Sequence, residues 1–394
     1  MTIVTDEMES VETVSLGVWV NVGSRHESES LNGVSHMLEH MAFKGTYRRS
    51  ARQIAEEIES VGGVINAYTS SEVTAYHATV MKEDIGIALE IIGDILLNSS
   101  FDPEELERER EVIIQEIAQN RDSPEECVFE IFQELAYPGQ PLGRPIMGTA
   151  EIVASIGRES LVNYMGQHYG ASRMVVAAAG KVDHAVFAGL VDTAFAGLSL
   201  GVNCWPEEAR YQGGTLHQVR NSEQAHLVVG YLGPGSRDPL RYDASVVSMI
   251  LGGGMSSRLF QEIRENLGLA YSIYGFTSCY EDTGIVGFYA GTSPNNTEQL
   301  IAKLIGEIER ILEGVGKPEL ERAKAQMRAG VLLSLESTTS RAERLARDIL
   351  LYGEVIPVDS VIKRIDDVSE AGVLEAVGRM LKSNPTLAMV GPRT

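Results

Sequence analysis

Residues 36–43, HMLEHMAF, set two histidines four positions apart with a glutamate directly before the second. On a helix, Val34, Leu38 and Met41 share one stripe, while His36, Glu39 and His40 point nearly the other way at i, i+3 and i+4. Both imidazoles can then reach one ion. Zinc suits them, because it takes neutral imidazole nitrogen and carboxylate oxygen in a tetrahedral shell and leaves a fourth position for water. The same residues also fit a solvated helix face that carries two histidines by chance. A third ligand would separate these readings, and the helix starting at Asp102 offers candidates. Asp102 and Glu105 have capping-box spacing, and Pro103 suits the first helical position. At 100° per residue Leu106, Ile113 and Ile117 form a core stripe, and Glu109 and Glu116, two turns apart, fall on its margin. Burying an unpaired carboxylate costs several kcal/mol, so a nearby cation explains such placement. A surface pair on a Glu-rich helix explains it equally.

The elements that would carry these residues occur twice. VSLGVWVNVGSRHE and HLVVGYLGPGSRDP are both strands ending in Gly-Ser-Arg, and each is followed by a helix. Amphipathic helices come next, SARQIAEEIESVGG and SSRLFQEIRENLG, then a strand–turn–strand and a long helix in each half. Matching the Gly-Ser-Arg strings puts Ser248, Leu251 and Gly252 opposite His36, Glu39 and His40, so the second half keeps the helix without the polar trio. The pattern implies a duplicated α+β unit, a sheet of mostly adjacent, mostly antiparallel strands with helices on one face. Domains are expected at 1–205 and 221–394, joined by a linker at 206–220, where LSLGVNCWPEEARYQGG loses both periodicities.

With 55 acidic against 33 basic residues among 394, the net charge of -22 opposes binding to nucleic acid or anionic lipid. It favours cationic partners, or serves solubility alone. Cys127, Cys204 and Cys279 are too few and too scattered for a disulfide framework or a cysteine metal knuckle. A reducing compartment is expected, and with no signal-peptide pattern and no apolar run of about 20 residues, a cytoplasmic rather than membrane setting.

HMLEHMAFKGT, GGVINAYTSSEVTAYHA, EREVIIQEI, QPLGRPIMG and GGGMSSRLFQEIRENLGLAYS occur in this order across nearly the whole chain. In this the sequence resembles the pitrilysin family of zinc peptidases (M16, inverzincins), and within it the M16B type of the mitochondrial processing peptidase β-subunit and its bacterial homologues. The resemblance implies the LuxS/MPP-like metallohydrolase fold and a zinc-dependent endopeptidase acting on unfolded peptides or presequence-like segments, in a bacterial cytoplasm rather than a mitochondrial matrix. It implies that His36, His40 and Glu116 hold one zinc per chain, that Glu39 is the catalytic base, and that Glu109 holds a ligand histidine from behind. Phe43 would line the site just past the scissile bond, unless it is simply core. The strand Val64–Ser70, with Asn66 and Ala67, would pair with an extended substrate backbone. Glu126 and Glu130 would receive a substrate arginine, unless DSPEECVFE is only a helix start. Arg264 and Tyr271 would stabilise charge on the carbonyl oxygen, reaching the zinc from a partner protomer in a homodimer with composite sites; otherwise they are a polar helix end and a packed strand tyrosine.

Two features depart from the family pattern. The chain starts partway into the usual first strand, and the long glycine-rich loop of the α-type subunit is replaced by the short LGGGMSS. No lysine and serine or threonine follow in the order a phosphate loop needs. The competing classes are a non-catalytic, core-type structural subunit, which would have shed its zinc ligands, and a peptide-binding module that keeps the metal without turnover.

Overall fold

The two runs richest in small and β-branched residues, TVSLGVWV and MVVAAAG, form strands buried along almost their whole length, which requires cover on both faces of their sheet. The computed structural model describes residues 1–201 and 205–393; Cys204 lies outside them. Five strands, β1 (Thr2–Glu7), β2 (Thr13–Val20), β3 (Val64–Thr69), β4 (Thr74–Met81) and β5 (Met174–Gly180), form a sheet in the order β1-β5-β2-β4-β3. A second sheet is built from β6 (Gly214–Val219), β7 (Ala225–Gly233), β8 (Ala270–Cys279), β9 (Gly284–Thr292) and β10 (Thr386–Gly391), in the order β6-β10-β7-β9-β8. The pairs β1–β5 and β6–β10 are parallel and the remaining pairs are antiparallel. The two sheets therefore repeat one topology, as the sequence order implies.

One face of the first sheet carries α1 (Val34–Ala42), α2 (Ala51–Ser60), α3 (Ile85–Leu97) and α4 (Pro103–Asp122), whose apolar stripes share one core. Its other face is also covered. There the helix Thr338–Tyr352 sets Ala342, Leu345 and Ala346 against Trp19, Ala75, Val175, Ala177 and Ala179. In the second sheet, helices Arg241–Gly252 and Thr297–Arg310 pack on one face. On the other, α5 (Pro124–Ala136) places Val128, Phe132 and Ala136 against Val228, Tyr289, Ala388 and Val390. Phe132 lies directly over Gly230, where an added Cβ would meet its ring at 2.5 Å.

The one-face arrangement of helices expected from the sequence thus gains a second layer in each sheet, contributed by a helix from the other half of the chain. The compact units reflect this. One comprises Met1–Ala118, Arg144–Glu207 and Leu333–Val355; the other comprises Gln119–Gly143, Glu208–Leu332 and Ile356–Thr394. Two local expectations also change. Part of the 206–220 linker is β6, an edge strand with too few buried side chains to leave a strong alternating signal. The helix expected across SSRLFQEIRENLG is π-helical over Phe260–Asn266, a difference in hydrogen-bond spacing to which apolar periodicity is blind.

Candidate active site

Helix α1 buries Val34, Met37, Leu38 and Met41 and leaves His36, Glu39 and His40 half-buried on its other side. Helix α4 begins where Asp102 Oδ1 accepts the backbone N–H groups of Glu104 and Glu105 at 2.8 and 3.2 Å. It buries Leu106, Glu109, Ile113 and Ile117, with Glu116 half-buried beside them. The two helices bring the polar residues together. His36, His40 and Glu116 offer ligand atoms that all lie within 4.8 Å of one another, and the two imidazole rings are 4.7 Å apart.

Glu109 fixes the orientation of His40. Its Oε2 lies 3.0 Å from His40 Nδ1, and a carboxylate only accepts, so in the neutral ring Nδ1 carries the proton. The lone pair on Nε2 is then turned toward Glu116 Oε2 at 3.5 Å. Two acceptors facing each other with no proton between them make a place for a cation. His36 contributes a ring whose Nδ1 is buried with no hydrogen-bond partner among the described residues. Burial, assisted by His40, lowers the His36 pKa to about 4, so this ring is in the neutral form that a zinc ligand needs. The donor set fits the metal.

Glu39 is placed differently from the ligands. It interacts with Thr69 at the end of β3, and burial pushes its carboxyl up from the ordinary range, against the lowering effects of Thr69 and His40. A carboxyl so perturbed beside a metal-competent group is suited to taking up and passing on a proton. Two neighbours went unnoticed in the sequence. Thr69 also donates to Ser35 O at 3.4 Å, tying β3 to α1. Lys44 Nζ lies 2.6 Å from Glu109 Oε1 and so clamps the oxygen of Glu109 that His40 leaves free. Its spacing of four from His40 was the available signal.

The remaining candidates fall in several places. Phe43 is the C-terminal cap of α1 and packs, partly buried, against the core of its unit. Asn66 is exposed and Ala67 buried on β3, which among the described residues is an edge strand paired with β4. Glu126 and Glu130 lie on α5, one turn apart. Burial raises the Glu130 carboxyl, and Glu126 and Glu134 add to this against the pull of Arg121. Arg264 and Tyr271 meet, the guanidinium lying 5.5 Å from the centre of the Tyr271 ring and 4.6 Å from that of Phe260. Arg264 belongs to the π-helical turn, and Tyr271 sits where the pairing of β8 with β9 slips between Ala270 and Ser272. Such irregularities re-aim side chains, and Tyr271 is 78% exposed.

Among the described residues the second copy has no comparable group. Gly252, aligned with His40, would place an added Cβ 2.2 Å from Gly275 N, so strand backbone occupies the space an imidazole would need. A duplicated α+β unit with a His/His/Glu group and a separate carboxylate in its first copy is, by class, a metallopeptidase. Residues 2–150 match the family described as Insulinase (Peptidase family M16), and residues 155–327 match the Peptidase M16 inactive domain. The chain belongs to peptidase family M16.

Its relatives include a Rickettsia bellii protein named "Uncharacterized zinc protease", 38% identical over 393 residues that cover 100% of this chain and 95% of the relative. A Bacillus subtilis protein named "Uncharacterized zinc protease YmxG" is 37% identical, covering 99% of this chain and 96% of its own. Among solved structures, a protease from Helicobacter pylori shares the fold with a TM-score of 0.91 at 22% identity, over 99% of this chain and 96% of that one. No helix among the described residues is long and apolar enough to cross a membrane.

Proposed function

We propose that the protein is a zinc-dependent endopeptidase that hydrolyses unfolded peptides or presequence-like segments, with one zinc per chain held by His36, His40 and Glu116. The observation that carries this reading is the opposition of His40 Nε2 and Glu116 Oε2 at 3.5 Å, with Glu109 occupying the far side of the ring. Bound zinc supplies Lewis acidity, which acidifies a water and polarises the scissile carbonyl. Glu39 takes the proton of the attacking water and passes it to the leaving amine. Lys44 and Glu109 keep His40 in one tautomer while this happens. Asn66 and Ala67 on the open edge of β3 hold the substrate backbone, a mode that reads extended shape rather than sequence. Phe43 lines the position just past the scissile bond.

Glu126 and Glu130 receive a basic side chain of the substrate. The raised Glu130 carboxyl among like charges supports this, since a cation there offsets both the cost of burying its charge and the repulsion from Glu126 and Glu134. Arg264 and Tyr271 stabilise the charge that develops on the carbonyl oxygen. They are supplied by a partner protomer of a homodimer with two composite sites, a reading supported by how far Tyr271 stands out from its own strand. The setting is the bacterial cytoplasm. The reading is tested by metal analysis together with cleavage of an unfolded basic peptide. The expected result is about one zinc per chain and internal cleavage that stops on chelation and returns with zinc. A protein that binds no zinc, or binds it without cleaving any unfolded peptide, would overturn it.

A further inference from the structure

The helix that presents His36, Glu39 and His40 lacks the usual means of starting. Its N-cap is Gly33, which has no side chain to cap with. Nothing larger fits there, because φ is +96° and an added Cβ would meet Met147 O at 2.6 Å. The first N–H groups of a helix nevertheless need acceptors. One of these, with the N–H of the N-cap itself, is met by Glu27, a residue only 2% exposed. Its Oε2 accepts from Gly33 N at 2.7 Å and from Asn32 Nδ2 at 2.9 Å, and its Oε1 accepts from Ser35 N at 2.8 Å. The cap is itself fastened. Asn32 Nδ2 also donates to Pro145 O at 3.0 Å, and Arg144 Nη1 donates to the backbone oxygen of Glu27 at 3.2 Å. Gly148 closes against the same place, where an added Cβ would meet Asn32 O at 2.4 Å.

We propose that Glu27 is a positioning residue for the metal site, its carboxylate setting where α1 begins and therefore how His36 and His40 stand against Glu109 and Glu116 on α4. Helix α1 is nine residues long, too short to hold itself in water, so its start and its packing must define it. A slip or fraying at Gly33 would move both imidazoles together, whereas ligands need to be held to within about 0.5 Å of productive geometry. Burial pushes the Glu27 carboxyl up, whereas the N–H groups of Ser35, Gly33 and Asn32 favour its ionised form, and that charge lies at the positive end of the helix dipole. The consequence for the metal rests on the zinc reading given above; the capping of α1 does not.

The near-isosteric E27Q separates these roles. Its amide nitrogen brings a donor against a donor, either at Ser35 N or at the pair formed by Gly33 N and Asn32 Nδ2, while the volume is unchanged. The metal-free variant should exchange the backbone amides of residues 34–42 at least about 10-fold faster than the wild type, with β7 unaffected. Its zinc dissociation constant, measured by chelator competition, should rise about 10- to 100-fold, the range found when groups behind metal ligands are removed. E27D, which keeps the charge, should recover part of both. Wild-type exchange in α1 together with wild-type zinc affinity would overturn the proposal. A general loss of protection throughout the first unit with zinc affinity unchanged would also overturn it, by reducing Glu27 to a purely structural role. A wild-type protein without zinc affinity would sink the zinc reading instead, and exchange in α1 would then decide alone whether Glu27 sets this helix.

Discussion

Lys44 and Glu109 show how much of the site rests on residues behind the ligands. With Lys44 Nζ at 2.6 Å from one oxygen of Glu109 and His40 Nδ1 at 3.0 Å from the other, the carboxylate is held from both ends. Lys44→Met should therefore lower zinc affinity about 10-fold, and Lys44→Arg should retain most of it, as chelator competition can measure. Unchanged affinity in Lys44→Met would show that Glu109 needs no counter-ion. At Glu126 and Glu130 the expected outcome concerns substrate. A peptide with arginine two residues before the scissile bond should be cleaved with higher kcat/KM than its norleucine analogue, and added salt should narrow the gap. Equal kcat/KM for the two at low salt would remove these glutamates from the substrate site. That His36 and His40 share one side of α1 was legible because a helix face fixes their directions, whereas the joining of Glu116 and Glu109 to them was suggested only by the family resemblance. Thr69 and Glu27 were not legible, because their meaning lies in contacts that only the folded chain makes, and for Lys44 the spacing of four from His40 was a signal without a stated partner.

The turn Ser24–His26, just upstream of α1, carries a pH dependence of its own. His26 Nδ1 accepts from Gly23 N at 3.2 Å. Burial, with the positive neighbours Arg173, His168 and Arg25, lowers its pKa to about 3. The unfolded chain takes up this proton near the ordinary histidine pKa of about 6.5, before the folded protein can, so stability is lost as pH falls from there toward 3. His26→Gln should flatten the acid limb of the stability curve by up to about 1.4 kcal/mol per pH unit in denaturant titrations. An unchanged slope would mean that His26 titrates normally in the fold. Helices α1 and α4 were readable as elements, since Leu106, Ile113 and Ile117 do form the buried stripe that puts Glu109 and Glu116 at its margin. The π-helical turn under Arg264 and the slip in β8 at Tyr271 were not, because each is a departure from regular pairing that composition does not encode.

At the scale of the whole chain, duplication was visible from the order of elements, and the matching sheet orders bear it out. The second layer on each sheet was not visible, because a helix such as Thr338–Tyr352 must pack on strands from the other half of the sequence, and local periodicity says only that it is amphipathic. If Arg264 and Tyr271 serve the zinc group of a partner protomer, mixing inactive Glu39→Gln with inactive Tyr271→Phe should restore activity, as one site in each mixed dimer has both residues intact. Failure to complement despite proven subunit exchange would place Tyr271 within its own chain's site or outside catalysis. The central claim is narrower, that three side chains hold the metal and a fourth, Glu39, moves the proton. Zinc content and peptide cleavage measured side by side on Glu39→Gln test it most directly. The account predicts about one zinc per chain, as in the wild type, with turnover abolished; a Glu39→Gln protein that cleaves at the wild-type rate would contradict it.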